Sequence, residues 1–283
     1  MKQNNNFFVE QSRNSEIKTQ IVLTMFSLWL KNNKTKKDLS YIDLFSGPGL
    51  YDDGTLSTPV CILQEICATK AIAQKFNVVL NDHKAEIIAK LRRAIANIRN
   101  AKFLKTLVTS VANTGENPQV LNSEHCFMFL DPWGWKGMHR NYINTALQNK
   151  NCEMALMFSF NQFNRFMNFD KIEGIFDDLF DAKTLKEIRT FCTNNPKANK
   201  ENFVLNKFIK MITGTCDNCH CLPFKFKMEN SLKTSHYVIF IIRYKKRFKV
   251  ALAKLEQFAN YADDVLCYSP KHADKNMLLE LSK

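Results

Sequence analysis

Three acids in this 283-residue chain sit where an apolar run stops. Asp43 closes "YID" and is followed by Leu44-Phe45-Ser46-Gly47-Pro48-Gly49. Asp82 closes "NVVLND". Asp131 closes "FMFLD" and opens Asp131-Pro132-Trp133-Gly134-Trp135. An acid at the end of a buried strand needs a polar or cationic partner. Glycines just after it allow left-handed backbone and the close approach of a ligand. Open α/β sheets bind their ligands at this carboxyl edge. Asp43, Phe45, Ser46, Gly47 and Gly49 are therefore expected to shape a cofactor cradle, with Asp82 on a ribose. The alternative is a Gly-Pro-Gly turn, with Asp82 capping the next helix.

Spacing separates the cofactors. Nicotinamide-binding folds place their ribose acid about 20 residues past the glycines, with the helix starting in the glycine turn. Here Asp82 follows Gly49 by 33 positions, and the polar stretch 50–57 delays the helix. The third glycine of GxGxxG is missing. S-adenosylmethionine fits this layout better than NAD. Asn113, after the third apolar run, is placed to reach an adenine ring.

Asp131-Pro132-Trp133 resembles the Asp-Pro-Pro-aromatic site of amino methyltransferases. In that family the Asp and a following carbonyl accept hydrogen bonds from the target amine, and the aromatic ring stacks on an extruded base. Asp131, Pro132 and Trp133 are thus the candidate acceptor residues, although Trp133 arrives one position early. A pair of core tryptophans at a strand-end turn is the alternative. Cytosine-C5 chemistry is disfavoured: it needs a Cys after the Pro, and no Pro-Cys pair occurs.

The cluster "CDNCHC", Cys216 to Cys221, lacks the second ligand pair that a structural zinc site needs. No metal is expected, and the nine cysteines are read as reduced thiols. The polar, Asn-rich start carries no apolar leader, and the densest late apolar run is too short to span a bilayer. A cytoplasmic protein without a membrane segment is expected.

Forty Lys+Arg against 27 Asp+Glu give a formal charge of +13. That excess favours a polyanion, most simply DNA or RNA. The densest clusters are "KNNKTKK" (Lys31 to Lys37), "KLRR" (Lys90 to Arg93) and "RYKKRFK" (Arg243 to Lys249). The last interleaves rings with cations, so Lys245, Lys246, Arg247 and Lys249 are the nucleic-acid candidates. A generally basic, solubilising surface is the alternative.

The elements that must position these residues can be read as well. Ile17, Ile21, Met25, Leu28 and Trp29 recur at helical spacing over about 14–32, with Asn14-Ser15-Glu16 as the cap. Five buried runs alternate with helical segments. The first of those segments is "STPVCILQEICATKAIAQK", with Pro59 at the first helical position. Residues from about 161 to 215 read as a helical insertion, and "CLPFKFKM" and "SHYVIFIIRY" as a late antiparallel pair. The expected fold is one α/β domain over 1–283, Rossmann-like and doubly wound around a mostly parallel sheet.

Taken together, "YIDLFSGPGLYDDGTLSTP", "LDPWGW", the Lys-rich first helix and "SHYVIFIIRY" resemble the three-Cys-motif partner (TcmP) family. That resemblance implies a methyltransferase-like fold of seven strands, the last antiparallel, and a companion protein carrying three cysteines. The chain departs from the family at Leu56-Ser57-Thr58-Pro59, at Trp133 and at Asn81-Asp82. These readings converge on S-adenosylmethionine-dependent methylation of a nucleic-acid nitrogen. A binding subunit that keeps the fold without catalysis is the rival.

Overall fold

The computed structural model describes residues 9–112, 124–132, 134, 138–160, 176, 179–195 and 199–272. Asn113 and Trp133 lie outside them, as does the first part of the expected insertion. All five residues of β1 (Leu39–Asp43) and all six of β4 (His125–Leu130) are buried, as central parallel strands require. Around them run β2 (Phe76–Asp82), β3 (Thr106–Val111), β5 (Cys152–Phe158), β6 (Cys219–Lys227), β7 (Thr234–Arg243) and β8 (Leu266–Tyr268). Their order is β3-β2-β1-β4-β5-β7-β6-β8. Strands β1 to β5 are mutually parallel, and β7 runs antiparallel to both β5 and β6. The order reverses between β1 and β4, the switch point of a doubly wound sheet.

The doubly wound, mostly parallel expectation is borne out, with two differences. Among the described residues the sheet has eight strands, not seven. The antiparallel strand is β7, and the last strand in the chain, β8, is parallel to β6. Three residues are too few for an alternation to show in sequence.

Helices cover both faces. On one lie α1 (Arg13–Asn33), α2 (Thr58–Ile66), α3 (Lys70–Ala73), α4 (Ala85–Ala96) and, late in the chain, α8 (Lys245–Leu255). On the other lie α5 (Arg140–Gln148), α6 (Ala182–Asn194) and α7 (Lys200–Thr213). Helix α1 is capped two residues before Asn14, the start of its expected cap: Ser12 Oγ accepts from the Ser15 N–H at 3.2 Å. The long helix expected after residue 57 breaks in two. Thr69 Oγ1 accepts from the Ile72 N–H at 3.2 Å and caps a new turn there. The reading of nine reduced thiols is also corrected. Cys216 and Cys219 are joined as a disulfide, their Cα atoms 5.9 Å apart and within bridging range. No helix among the described residues is long and apolar enough to cross a membrane.

Rings dock α1 on the sheet. Phe26 lies 5.4 Å from Phe127, 5.9 Å from Tyr41 and 6.2 Å from Phe76, and Trp29 packs beside it at 5.6 Å. Both α1 rings are essentially solvent-free. Each large apolar side chain buried this way contributes about 1.5–3 kcal/mol. The seam fixes the helix over β1, β2 and β4.

Two lysines of β6 are buried, and each is matched by acids. Lys225 Nζ reaches Asp263 at 2.9 Å and Asp264 at 3.2 Å, and Lys227 reaches Asp263 at 2.6 Å. At the other end of the hairpin, buried Arg243 binds four carbonyls. Nη2 donates to Leu147 O at 2.5 Å and Asn149 O at 2.9 Å, Nε to Cys152 O at 3.1 Å, and Nη1 to Asp217 O at 3.1 Å. It closes the C-terminal end of α5 and the turn into β5. Lysine cannot present this fork. Arg243→Lys is expected to cost about 2–3 kcal/mol in urea denaturation. A loss below about 0.5 kcal/mol would mean that the guanidinium is not what holds this corner.

Candidate functional site

The carboxyl edge at the switch point gathers the three acids. Asp43 pairs in register with Leu80 on one side and Phe129 on the other. Asp82 ends β2 two positions later, and Asp131 follows the last residue of β4. Asp43 is fully buried. Its Oδ1 accepts from the Phe45 N–H at 2.9 Å and its Oδ2 from the Tyr41 hydroxyl at 3.2 Å. Those two bonds are not enough. Burial first, and then the negative charges of Asp131 and Asp82, raise its pKa to about 8. Ionising Asp43 inside the fold therefore costs on the order of 5 kcal/mol more than in water.

The glycine loop is held from β2. Ser46 donates from both N–H and Oγ to Asn81 O, each at 2.9 Å. Its hydroxyl thus faces the strand. Gly47 has a φ of +63° and donates its N–H to Asp82 Oδ2 at 3.2 Å. Asp82 Oδ1 accepts from the Lys84 N–H at 3.1 Å. The acid expected on a ribose therefore also braces the loop and the turn into α4. Gly49, with a φ of +85°, is closed on its open side. A Cβ there would meet Leu91 Cδ1 at 2.9 Å, Ala94 Cβ at 3.0 Å and Val60 Cγ2 at 3.1 Å. On this side a glycine is required by the packing of α2 and α4.

Three participants escaped the sequence reading. Lys18, on α1, forms an ion pair with Asp131 Oδ2, and both side chains are largely buried. Asn81 ties the edge together. Its Nδ2 donates to Leu44 O and Ala112 O, and its Oδ1 accepts from Ser110 Oγ and the Ala112 N–H. His236, at the start of β7, stacks on Phe226 at 4.7 Å and has Ser235 Oγ beside Nδ1 at 3.0 Å. Burial, with Lys18 nearby, pushes its pKa down to about 3, so the ring is neutral at working pH. Lys18 lies 23 residues before the first acidic motif, and its spacing does not point to Asp131. Only the docking of α1 brings Lys18 to Asp131.

The basic candidates lie elsewhere. Because β7 runs antiparallel, its end at Arg243 sits beside the start of β5. Lys245, Lys246, Arg247 and Lys249 open α8 at that amino edge, away from Asp43 and Asp131. Arg247 is further engaged with the buried Glu153 at 2.8 Å. The described residues hold no group of three or more His, Cys, Asp or Glu side chains fit for a metal.

The buried acid makes stability depend on pH. Unfolded, Asp43 releases its proton near pH 4; folded, it keeps the proton to about pH 8. Between those values the folded state binds more protons, so Asp43 lowers stability as pH rises. Asp43→Asn is expected to flatten the fall between pH 5 and 8, with a slope difference of up to about 1.4 kcal/mol per pH unit. Parallel stability curves for the two proteins, measured by denaturation, would refute the assignment.

No family model and no curated protein matches the chain. Solved structures resemble it weakly. A DUF519-family protein from Legionella pneumophila is 12% identical, with a TM-score of 0.47, covering 87% of this chain and 93% of its own. The plantazolicin methyltransferase BpumL, solved with SAH, is 10% identical at a TM-score of 0.42, covering 82% and 86%. An rRNA methylase from Streptococcus thermophilus is 10% identical at 0.40, covering 83% and 99%. Likenesses this distant leave the functional reading to the chain's own geometry.

Proposed function

We propose that the chain is an S-adenosylmethionine-dependent methyltransferase acting on a nitrogen of a nucleic-acid base. The observation that carries this reading is the group of acids at the switch point. Asp43, Asp82 and Asp131 share one sheet edge, and the only ion pair the described residues give Asp131 is with Lys18. Asp82, and Asp43 once ionised, repel the pyrophosphate of a dinucleotide and attract a cation. S-adenosylmethionine is cationic at its sulfonium and at its amino group, and when bound it supplies an electrophilic methyl group. Asp43 and the Phe45-Gly47 backbone would hold the methionine end. Asp82 would take the ribose once its loop contacts are shared. Asn113 is the proposal for the adenine ring.

Asp131 and the Pro132 carbonyl would accept hydrogen bonds from the target amine. An exocyclic amine is a poor nucleophile because its lone pair is delocalised into the ring. Acceptors on its hydrogens draw that pair out of the ring. Lys18 holds the Asp131 side chain in place, so that positioning does most of the work. Trp133 is the proposal for base stacking. The family resemblance adds a companion protein with three cysteines to this reading.

Calorimetry tests the cofactor. A cation needs Asp43 ionised, and its proton leaves near pH 8 in the free protein. S-adenosylmethionine should therefore bind more tightly as pH rises from 6 to 8.5 and release a proton on binding. S-adenosylhomocysteine lacks the sulfonium charge and should show a weaker pH dependence. No binding of either at millimolar concentration would sink the proposal in favour of a non-catalytic subunit.

Transfer of labelled methyl to RNA, DNA and protein fractions tests the acceptor. Asp131→Ala should lower kcat about 100-fold or more, with cofactor affinity nearly kept. Label in the protein fraction alone would refute the nucleic-acid acceptor.

A further inference from the structure

Two basic clusters far apart in sequence end at the same edge of the sheet. Lys31, Lys34, Lys36 and Lys37 lie at and just beyond the C-terminal end of α1, all exposed. Lys245, Lys246 and Lys249 lie at the start of α8, also exposed. Both helices cover the same face of the sheet. Between their ends sits buried His125, at the start of β4. Its pKa is lowered by burial and by the charges of Lys36 and Arg247, one from each cluster, against the opposing pull of Glu124. None of the seven lysines forms an ion pair among the described residues. Of the neighbouring acids, Glu153 is engaged with Arg247 and Asp38 with Lys105, and exposed Glu124 lies 3.3 Å from His125.

A second feature stands at the same place. Tyr244, between β7 and α8, has a φ of +70° and is 49% exposed. A bulky residue in that region is strained by about 1–3 kcal/mol, and such outliers cluster at functional positions. The Arg247 guanidinium lies 5.2 Å from its ring centre. An exposed ring among unpaired cations offers stacking beside phosphate contact.

We infer that this amino edge is a second nucleic-acid contact surface, remote from the candidate active site, which anchors a polymeric acceptor. The inference rests on the nucleic-acid reading of the acceptor and narrows it. The two edges are separated by at least the five residues of β1, about 16 Å at 3.3 Å per residue. That equals roughly five base pairs of duplex rise, before the path around the surface is added. A single nucleotide cannot touch both, and a trinucleotide would have to be fully extended to do so. The substrate is then a long or folded nucleic acid, held by its backbone at one edge and modified at the other.

The test uses a labelled 25-nucleotide RNA hairpin, the DNA hairpin of the same sequence, a trinucleotide and polyglutamate. Anisotropy is read across a salt series for the full chain and for Lys36→Glu/Lys37→Glu/Lys245→Glu/Lys246→Glu. The four lysines are exposed, so the variant should melt like wild type. Its hairpin affinity should fall at least about tenfold, with a salt slope shallower by about 3–4. S-adenosylmethionine affinity should not change. Tyr244→Gly relieves the backbone strain, so it should keep or raise stability while still weakening hairpin binding. Unchanged hairpin affinity and salt slope in the fourfold variant would overturn the surface, while methyl transfer to RNA or DNA would leave the proposed activity standing. Polyglutamate binding as tightly as the hairpins would also overturn it, in favour of an acidic protein. If wild type binds S-adenosylmethionine but neither hairpin, the nucleic-acid acceptor falls and this surface falls with it.

Discussion

Three carboxylates at one sheet edge repel one another, and the site is organised around that fact. Asp43 answers by keeping its proton, because burial outweighs its hydrogen bonds from Phe45 and Tyr41. Asp82 answers with the backbone N–H groups of Gly47 and Lys84. Asp131 answers with Lys18. These are three different solutions to the same electrostatic problem, and they leave three different groups: a neutral acid, an acceptor held by amides and an ion-paired acid. Their differing environments divide the labour between cofactor and acceptor.

The Lys18 solution makes α1 part of the site. That helix is held by Phe26 and Trp29 on the rings of β1, β2 and β4, not by anything at the edge itself. A packing seam in the middle of the helix thus aims a charge at its first turns. Thr19 adds a short polar tie to Thr58 at 2.9 Å, which links α1 to the start of α2. A change at Phe26 would be felt at Asp131 through the tilt of the helix.

Much of this was legible in the chain. Apolar runs ending in Asp43, Asp82 and Asp131 marked three strand ends correctly, because parallel central strands are buried on both faces and read as continuous. The helical period of α1 was equally clear. What could not be read depends on distant meetings. Lys18 is one of many lysines until the fold carries it to a residue 113 positions away. Gly49 and Gly47 look alike in sequence, yet one faces a carboxylate and the other a wall of side chains. The cations of "RYKKRFK" gave no hint of which edge they would occupy, because that turns on the direction of β7. Asn81 was passed over because its four hydrogen bonds join segments that only the sheet brings together.

The packing of Gly49 against α4 and α2 says something about time as well as space. Leu91, Ala94 and Val60 fill the room beside it, and the Ser57 N–H holds its carbonyl at 2.9 Å. The loop is therefore shaped when the core forms, with no ligand required. Its conformational entropy is lost once, on folding, and is not charged again to each binding event. A cradle finished in advance favours quick capture and little reshaping. It also cannot serve as a flap, so any closure that shields the reaction from water must come from another part of the chain.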